Sequence, residues 1–99
     1  MAIQEQMAAD QKAAMRARDK ATLNAIRSVQ AEVATAKSAP GFRGEVDDDL
    51  YVATIATYVK RITKSLADYE AMGDAGAAQA ATLAFEIDYL SRYLPTKLD

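Results

Sequence analysis

Apolar residues recur along this chain at steps of three and four, the spacing that gathers side chains on one face of an α-helix. Ile3, Met7 and Ala14 share one such face. Leu23, Ile26, Val29 and Val33 share another, turned by roughly 100° from the first. A single straight rod cannot bury both stripes against one partner, so a break falls near Arg18–Asp19, with Asp19 capping a second helix that starts at Lys20. Ile55, Val59, Ile62, Leu66 and Tyr69 form a third stripe. Ala80, Leu83, Ile87, Leu90 and Leu94 form a fourth, with the alternation of an antiparallel bundle seam. No segment alternates apolar and polar residues between turn signals, so strands are not expected.

Breakers agree with this division. Pro40, Gly41 and Gly44 form one cluster, Gly73 and Gly76 a second, and Pro95 stands alone. Asp47 is placed to cap the third helix, with Asp48 and Asp49 in its first turn, where the helix dipole favours negative charge. Gly73 suits the left-handed position that closes that helix, and Pro95 ends the fourth. The expected fold is all-α, an antiparallel four-helix bundle-like unit with helices over about 2–17, 20–38, 48–72 and 75–94.

Composition sharpens the picture. Alanine supplies 22 of 99 residues, against 28 of the larger apolar types, which favours helices packed closely through small side chains. Cys, His and Trp are absent, which removes disulfides, thiolate zinc and iron–sulfur sites, and every His-assisted nucleophile. Asp47-Asp48-Asp49 could suggest a hard-cation site, but capping accounts for all three, so no metal and no cofactor is expected. Thr63-Lys64-Ser65 sets a lysine beside hydroxyls, yet adjacent helix positions diverge, and Lys64 with Asp68 reads as a surface pair worth about 0.3 kcal/mol. No catalytic residue is assigned. No apolar run approaches the ~20 residues of a membrane span and no signal peptide is visible, so a soluble cytoplasmic protein is expected.

Charge is divided unevenly: residues 1–44 carry seven basic and four acidic side chains, residues 45–99 five basic and ten acidic. Lys12, Arg16, Arg18, Lys20 and Arg27 lie at or beside the first helix junction, and Lys60, Arg61 and Lys64 on the third helix. Facing one side, these groups would form a patch able to contact several phosphates. The alternative is ordinary solvated surface, since Asp10 and Asp19 dilute the first group and the whole chain is acidic. Of the tyrosines, Tyr51, Tyr58, Tyr69, Tyr89 and Tyr93 are spaced for packing rather than for base stacking, with Tyr89 and Tyr93 beside Phe85 on the flank of the fourth helix.

Four ordered segments resemble the GatB/YqeY domain family. Ala14-Met15-Arg16-Ala17-Arg18-Asp19-Lys20 is similar to its first helix junction, and Leu23-Asn24-Ala25-Ile26-Arg27 to the stretch that follows. Val59-Lys60-Arg61 with Ser65-Leu66-Ala67-Asp68-Tyr69 resembles its third helix, and Tyr93-Leu94-Pro95-Thr96-Lys97-Leu98 its most specific signature. The resemblance implies an N-terminal helical subdomain over 1–94, with 95–99 opening a linker to a tail subdomain outside this chain. Asp99, placed like a cap with no helix behind it, leads to the expectation of a longer parent protein that has been cut, and Tyr93 is then the residue expected to be left exposed. The Ser38–Val46 connection is longer and richer in Gly and Pro than is typical of the family.

The family's amidotransferase B subunit carries this domain as an appendage that grips tRNA while glutaminyl- and asparaginyl-tRNA are made. The resemblance therefore implies a non-catalytic accessory domain that binds tRNA or another structured RNA, working with an amidotransferase or an aminoacyl-tRNA-related protein. Its association with glutamine-dependent carbon–nitrogen ligases is at family level. The alternative reading is a helical protein–protein interaction or homo-oligomerisation module without RNA binding, and the oligomeric state is left open.

Overall fold

The computed structural model describes residues 2–42, 44 and 46–95. Among them are four α-helices and no strand: α1 (Ile3–Ala17), α2 (Lys20–Ser38), α3 (Asp48–Ala71) and α4 (Ala77–Leu90). Short 3-10 turns occupy Gly73–Gly76 and Ser91–Tyr93.

The α1–α2 corner is built from two residues. Arg18 takes a left-handed conformation, φ 58° and ψ 37°. The Asp19 N–H donates to the Ala14 carbonyl at 2.9 Å, which closes α1 in a Schellman-type wrap. Asp19 then caps α2 by accepting from the Thr22 N–H at 3.1 Å and the Thr22 hydroxyl at 2.7 Å. Those hydrogen bonds, the hydroxyl's first, hold the Asp19 carboxyl below its ordinary value.

Asp47 caps α3 through the Leu50 N–H at 3.0 Å. Asp48 does more than complement the dipole of its own helix. It accepts from the Ile3 N–H at 2.7 Å, so one carboxylate in the first turn of α3 also satisfies a free donor at the start of α1. Asp47 and Asp48 thus each bind a helix-end N–H, and no metal-holding group of carboxylates is found among the described residues.

At the α3–α4 turn Gly73 has φ 64°, as its position predicts. Gly76 is buried against the Tyr69 carbonyl, which a Cβ at this position would strike. α3 and α4 form the most extensively packed helix pair. The core joins Met7 of α1, Ala25, Ile26, Val29 and Val33 of α2, Tyr51, Ile55, Tyr58 and Ile62 of α3, and Leu90 and Tyr93.

Four expectations change. The buried face of α3 runs through Tyr51, Ile55, Tyr58 and Ile62, while Val59, Leu66 and Tyr69 are only half-buried. α4 starts at Ala77 because the Gly73–Gly76 segment is wound as a 3-10 turn. α4 also stops at Leu90, short of Leu94, which is drawn into extended backbone (ψ 155°) by the Pro95 that follows it. Finally, Tyr93 is not exposed; it retains 5% of its accessible surface and belongs to the core. Its hydroxyl reaches Asp10 of α1, a partner 83 positions away, at 2.6 Å.

Candidate nucleic-acid interface

Every basic residue singled out in the sequence is exposed. Lys12 and Arg16 lie opposite the buried Met7–Ala14 stripe of α1, and Lys20 and Arg27 opposite the buried face of α2. Lys60 and Lys64 lie away from the Tyr51–Ile62 face of α3. Arg18, at the corner, has its backbone fixed by the Schellman-type closure. These seven side chains have no ion-pair partner among the described residues. They lie on the outward sides of three different helices and at the α1–α2 corner.

Arg61 behaves differently. Its guanidinium donates to Glu32 of α2 at 2.6 Å and lies 5.3 Å from the centre of the Tyr58 ring. The Glu32 hydrogen bond is the main cause of a raised Arg61 value. This side chain bridges α3 to α2 while staying 56% exposed. The Lys64–Asp68 pair expected from helical spacing is not formed; the ion pairs among the described residues are Arg61–Glu32 and a looser Arg92–Asp10 contact at 3.6 Å.

Four of the helix hydroxyls are occupied by their own backbone. Thr63 donates to the Val59 carbonyl at 2.7 Å, turned away from Lys64, and Ser28, Thr35 and Thr82 likewise donate one turn back.

Two polar clusters escaped the sequence reading. Glu86 is buried at 6% exposure, where its carboxylate accepts from the Tyr58 hydroxyl at 2.6 Å. Burial first, then this hydrogen bond, pushes the Tyr58 phenol up. A charged residue between Phe85 and Ile87 reads as surface, and only the facing Tyr58 reveals otherwise. The second cluster lies at the end of α4. Tyr93 donates to Asp10, the Tyr89 and Tyr93 hydroxyls are 2.9 Å apart, and Arg92 covers the Tyr89 ring at 4.6 Å. Burial and the Asp10 hydrogen bond push the Tyr93 phenol strongly up.

Beside this cluster a shallow groove of ≈ 400 Å³ opens between the α1–α2 corner and α4. Ala13, Ala14 and Ala17 form its floor, and Phe85, Tyr89 and Arg92 its wall. Tyr93, the first residue of the segment that carries the most specific part of the resemblance, thus packs beside α1 near the α1–α2 junction.

The family model described as a Yqey-like protein matches residues 4–99. The chain belongs to this family. The match takes in all four helices of the YqeY-like chain, including the Arg18–Asp19 corner and the Tyr93 turn. A search of curated proteins finds no match to it. No helix among its described residues is long and apolar enough to cross a membrane.

Proposed function

We propose that this YqeY-like chain is a non-catalytic accessory domain that grips tRNA in the service of tRNA-dependent amide transfer. The observation that carries this reading is the set of Lys12, Arg16, Arg18, Lys20, Arg27, Lys60 and Lys64, all exposed and without an ion-pair partner among the described residues. Surface cations left free in this way neutralise phosphates and release counterions, which is the sequence-independent part of nucleic-acid affinity. Arg61 belongs to the same contact set, with its side chain 56% exposed beside Glu32.

The link to amide transfer rests on the resemblance to the appended domain of the amidotransferase B subunit. The covalent chemistry then belongs to a partner enzyme, in keeping with hydroxyls that donate to helix carbonyls rather than to a base. The same resemblance supports residues 1–94 as a helical N-terminal subdomain and a cytoplasmic location.

A second reading, a protein–protein or self-association module, has its own observation. Met15, Met72 and Phe85 are large apolar residues left 49%, 54% and 37% exposed. A gel shift with bulk tRNA, run beside size-exclusion chromatography, separates the two. On the RNA reading, Arg16→Glu, Arg27→Glu and Lys60→Glu together abolish the shift while the elution volume stays that of wild type. Binding that ignores the three reversals overturns it.

A further inference from the structure

The face of the α3–α4 hairpin that closes the core continues past the point where the core ends. On α3 the buried Tyr58 and Ile62 are followed, at the same helical spacing, by Leu66 and Tyr69. On α4, reading back from the buried Leu90 and Glu86, the same face runs through Leu83 and Gln79. Yet from residue 63 to residue 85 Gly76 alone is fully buried. Leu66, Tyr69 and Leu83 are half-buried, and Met72, three positions beyond Tyr69, is 54% exposed. Between the two helices a groove of ≈ 370 Å³ opens, lined by Tyr69, Ala78, Gln79, Thr82 and Leu83. α1 and α2, which complete the core around Ile62 and Leu90, supply no residue to its walls. A face of core character is left without a cover among the described residues, in the shape that one more helix would fill.

Charge decides what such a helix carries. Asp68 and Glu70 stand about 100° to either side of Tyr69 around α3, and Asp74 lies in the turn between the helices. All three are exposed and without an ion-pair partner among the described residues. Lys64 is turned about 140° away from Tyr69, and no charged residue occurs between Asp74 and Glu86. The hairpin thus edges its groove with acids alone. The last turn of α3 holds no basic residue, so Asp68 and Glu70 sit at the negative end of the helix dipole, where cations are favoured. A cationic partner would relieve both the mutual repulsion of the rim and this mismatch.

We propose that the groove at the tip of the α3–α4 hairpin receives a basic amphipathic helix of a partner protein. Its apolar stripe lies on Tyr69, Met72 and Leu83, and its lysines or arginines meet Asp68, Glu70 and Asp74. The docking site uses none of the cations assigned to tRNA and stands apart from that reading. A second copy is the poorer occupant. Two hairpins laid face to face would oppose the same acids, and the apolar stripes of α1 and α2, which carry most of the cations, are already buried in their own core. An RNA would bring phosphates against the acidic rim.

The probes are fluorescein-labelled peptides about four helical turns long, built from lysine and alanine with a stripe of leucine or phenylalanine at steps of three and four. One control has the same composition with the stripe shuffled, and another has glutamate in place of lysine. Anisotropy titrations with the full chain should show saturable one-to-one binding of the striped basic peptides, at least about 10-fold weaker binding of the shuffled one, and none of the acidic one. Asp68→Asn, Glu70→Gln and Asp74→Asn together should weaken the striped peptides about 3- to 30-fold and remove most of the salt dependence. Thr82→Arg, on an exposed position, puts bulk and a cation into the groove and should abolish binding while the circular dichroism spectrum stays that of wild type.

Striped and shuffled peptides that bind alike reduce the effect to general attraction between opposite charges and overturn the groove. So does wild-type affinity in Thr82→Arg, or the absence of binding by every striped peptide. Self-association of the wild type that Thr82→Arg removes, seen by analytical ultracentrifugation, makes the groove a contact between copies and also overturns the proposal.

Discussion

Tyr93→Phe removes a single oxygen from the place where the end of the fold is fastened to its beginning. That hydroxyl donates to Asp10 Oδ2 at 2.6 Å and lies 2.9 Å from the Tyr89 hydroxyl, on a side chain with 5% of its surface accessible. Hydrogen bonds to charged acceptors contribute about 1.5–3 kcal/mol when buried. Asp10 is 26% exposed and keeps the Arg92 contact at 3.6 Å, so water and Arg92 compensate part of the loss. The expected cost is therefore near the lower end, about 1.5–2 kcal/mol. For a domain of this size that corresponds to a fall in melting temperature of roughly 6–15 °C.

Thermal and urea unfolding followed by far-UV circular dichroism, run as a double-mutant cycle with Asp10→Asn, would apportion the effect. The coupling should account for most of the single-variant cost. The same contact sets a direction with pH. Folding holds the Tyr93 phenol protonated above its ordinary value of 10.0, so its contribution is intact below that pH and is lost progressively as pH rises beyond it. Wild type should therefore lose stability above pH 10.0 more steeply than Tyr93→Phe. A Tyr93→Phe variant within about 0.5 kcal/mol of wild type, with an unchanged alkaline limb, would refute the clasp.

Other substitutions probe the remaining joints. Arg18→Gly should raise stability by about 0.5–1 kcal/mol, because relief of the left-handed strain exceeds the extra entropy of glycine, while removing about one unit from the salt slope of tRNA binding; urea midpoints and salt titrations read the two effects separately. Gly76→Ala should cost at least about 2 kcal/mol, since its methyl meets the Tyr69 carbonyl, a backbone atom that cannot rotate away. Glu86→Leu should cost about 1–3 kcal/mol by stranding the Tyr58 hydroxyl, and adding Tyr58→Phe should recover part of it, as measured by chemical denaturation. Asp19→Ala should lower the melting temperature, and the wild type should lose the Asp19 contribution as pH falls below about 3.8, the sign set by a carboxyl held below that value.

Local structure was legible in the residues; distant pairing was not. The Arg18–Asp19 break, the Asp19 and Asp47 caps and the left-handed Gly73 each follow from a few adjacent positions, and each is where the pattern put it. The errors share one physical origin. Tyr93 looked exposed because its partner Asp10 lies at the other end of the chain. Glu86 carried no signal in the sequence, because the Tyr58 hydroxyl that lets it be buried is 28 positions away. The Arg61–Glu32 pair was equally out of reach, since the two residues face each other across a helix seam. Asp48 looked like a first-turn acid and nothing more, yet it also holds the start of α1. The groove beside Phe85 has no sequence signature at all, being a space left between α1 and α4 by residues that were individually unremarkable.

The proposed grip by the exposed cations is most directly tested by the salt dependence of tRNA affinity, measured by fluorescence anisotropy with the wild-type chain. Engagement of four to six of the free cations predicts a straight fall of log K against log salt with a slope of about −3 to −5. A slope near zero, or an isotherm that does not saturate at any salt, would contradict a domain that holds RNA by its phosphates.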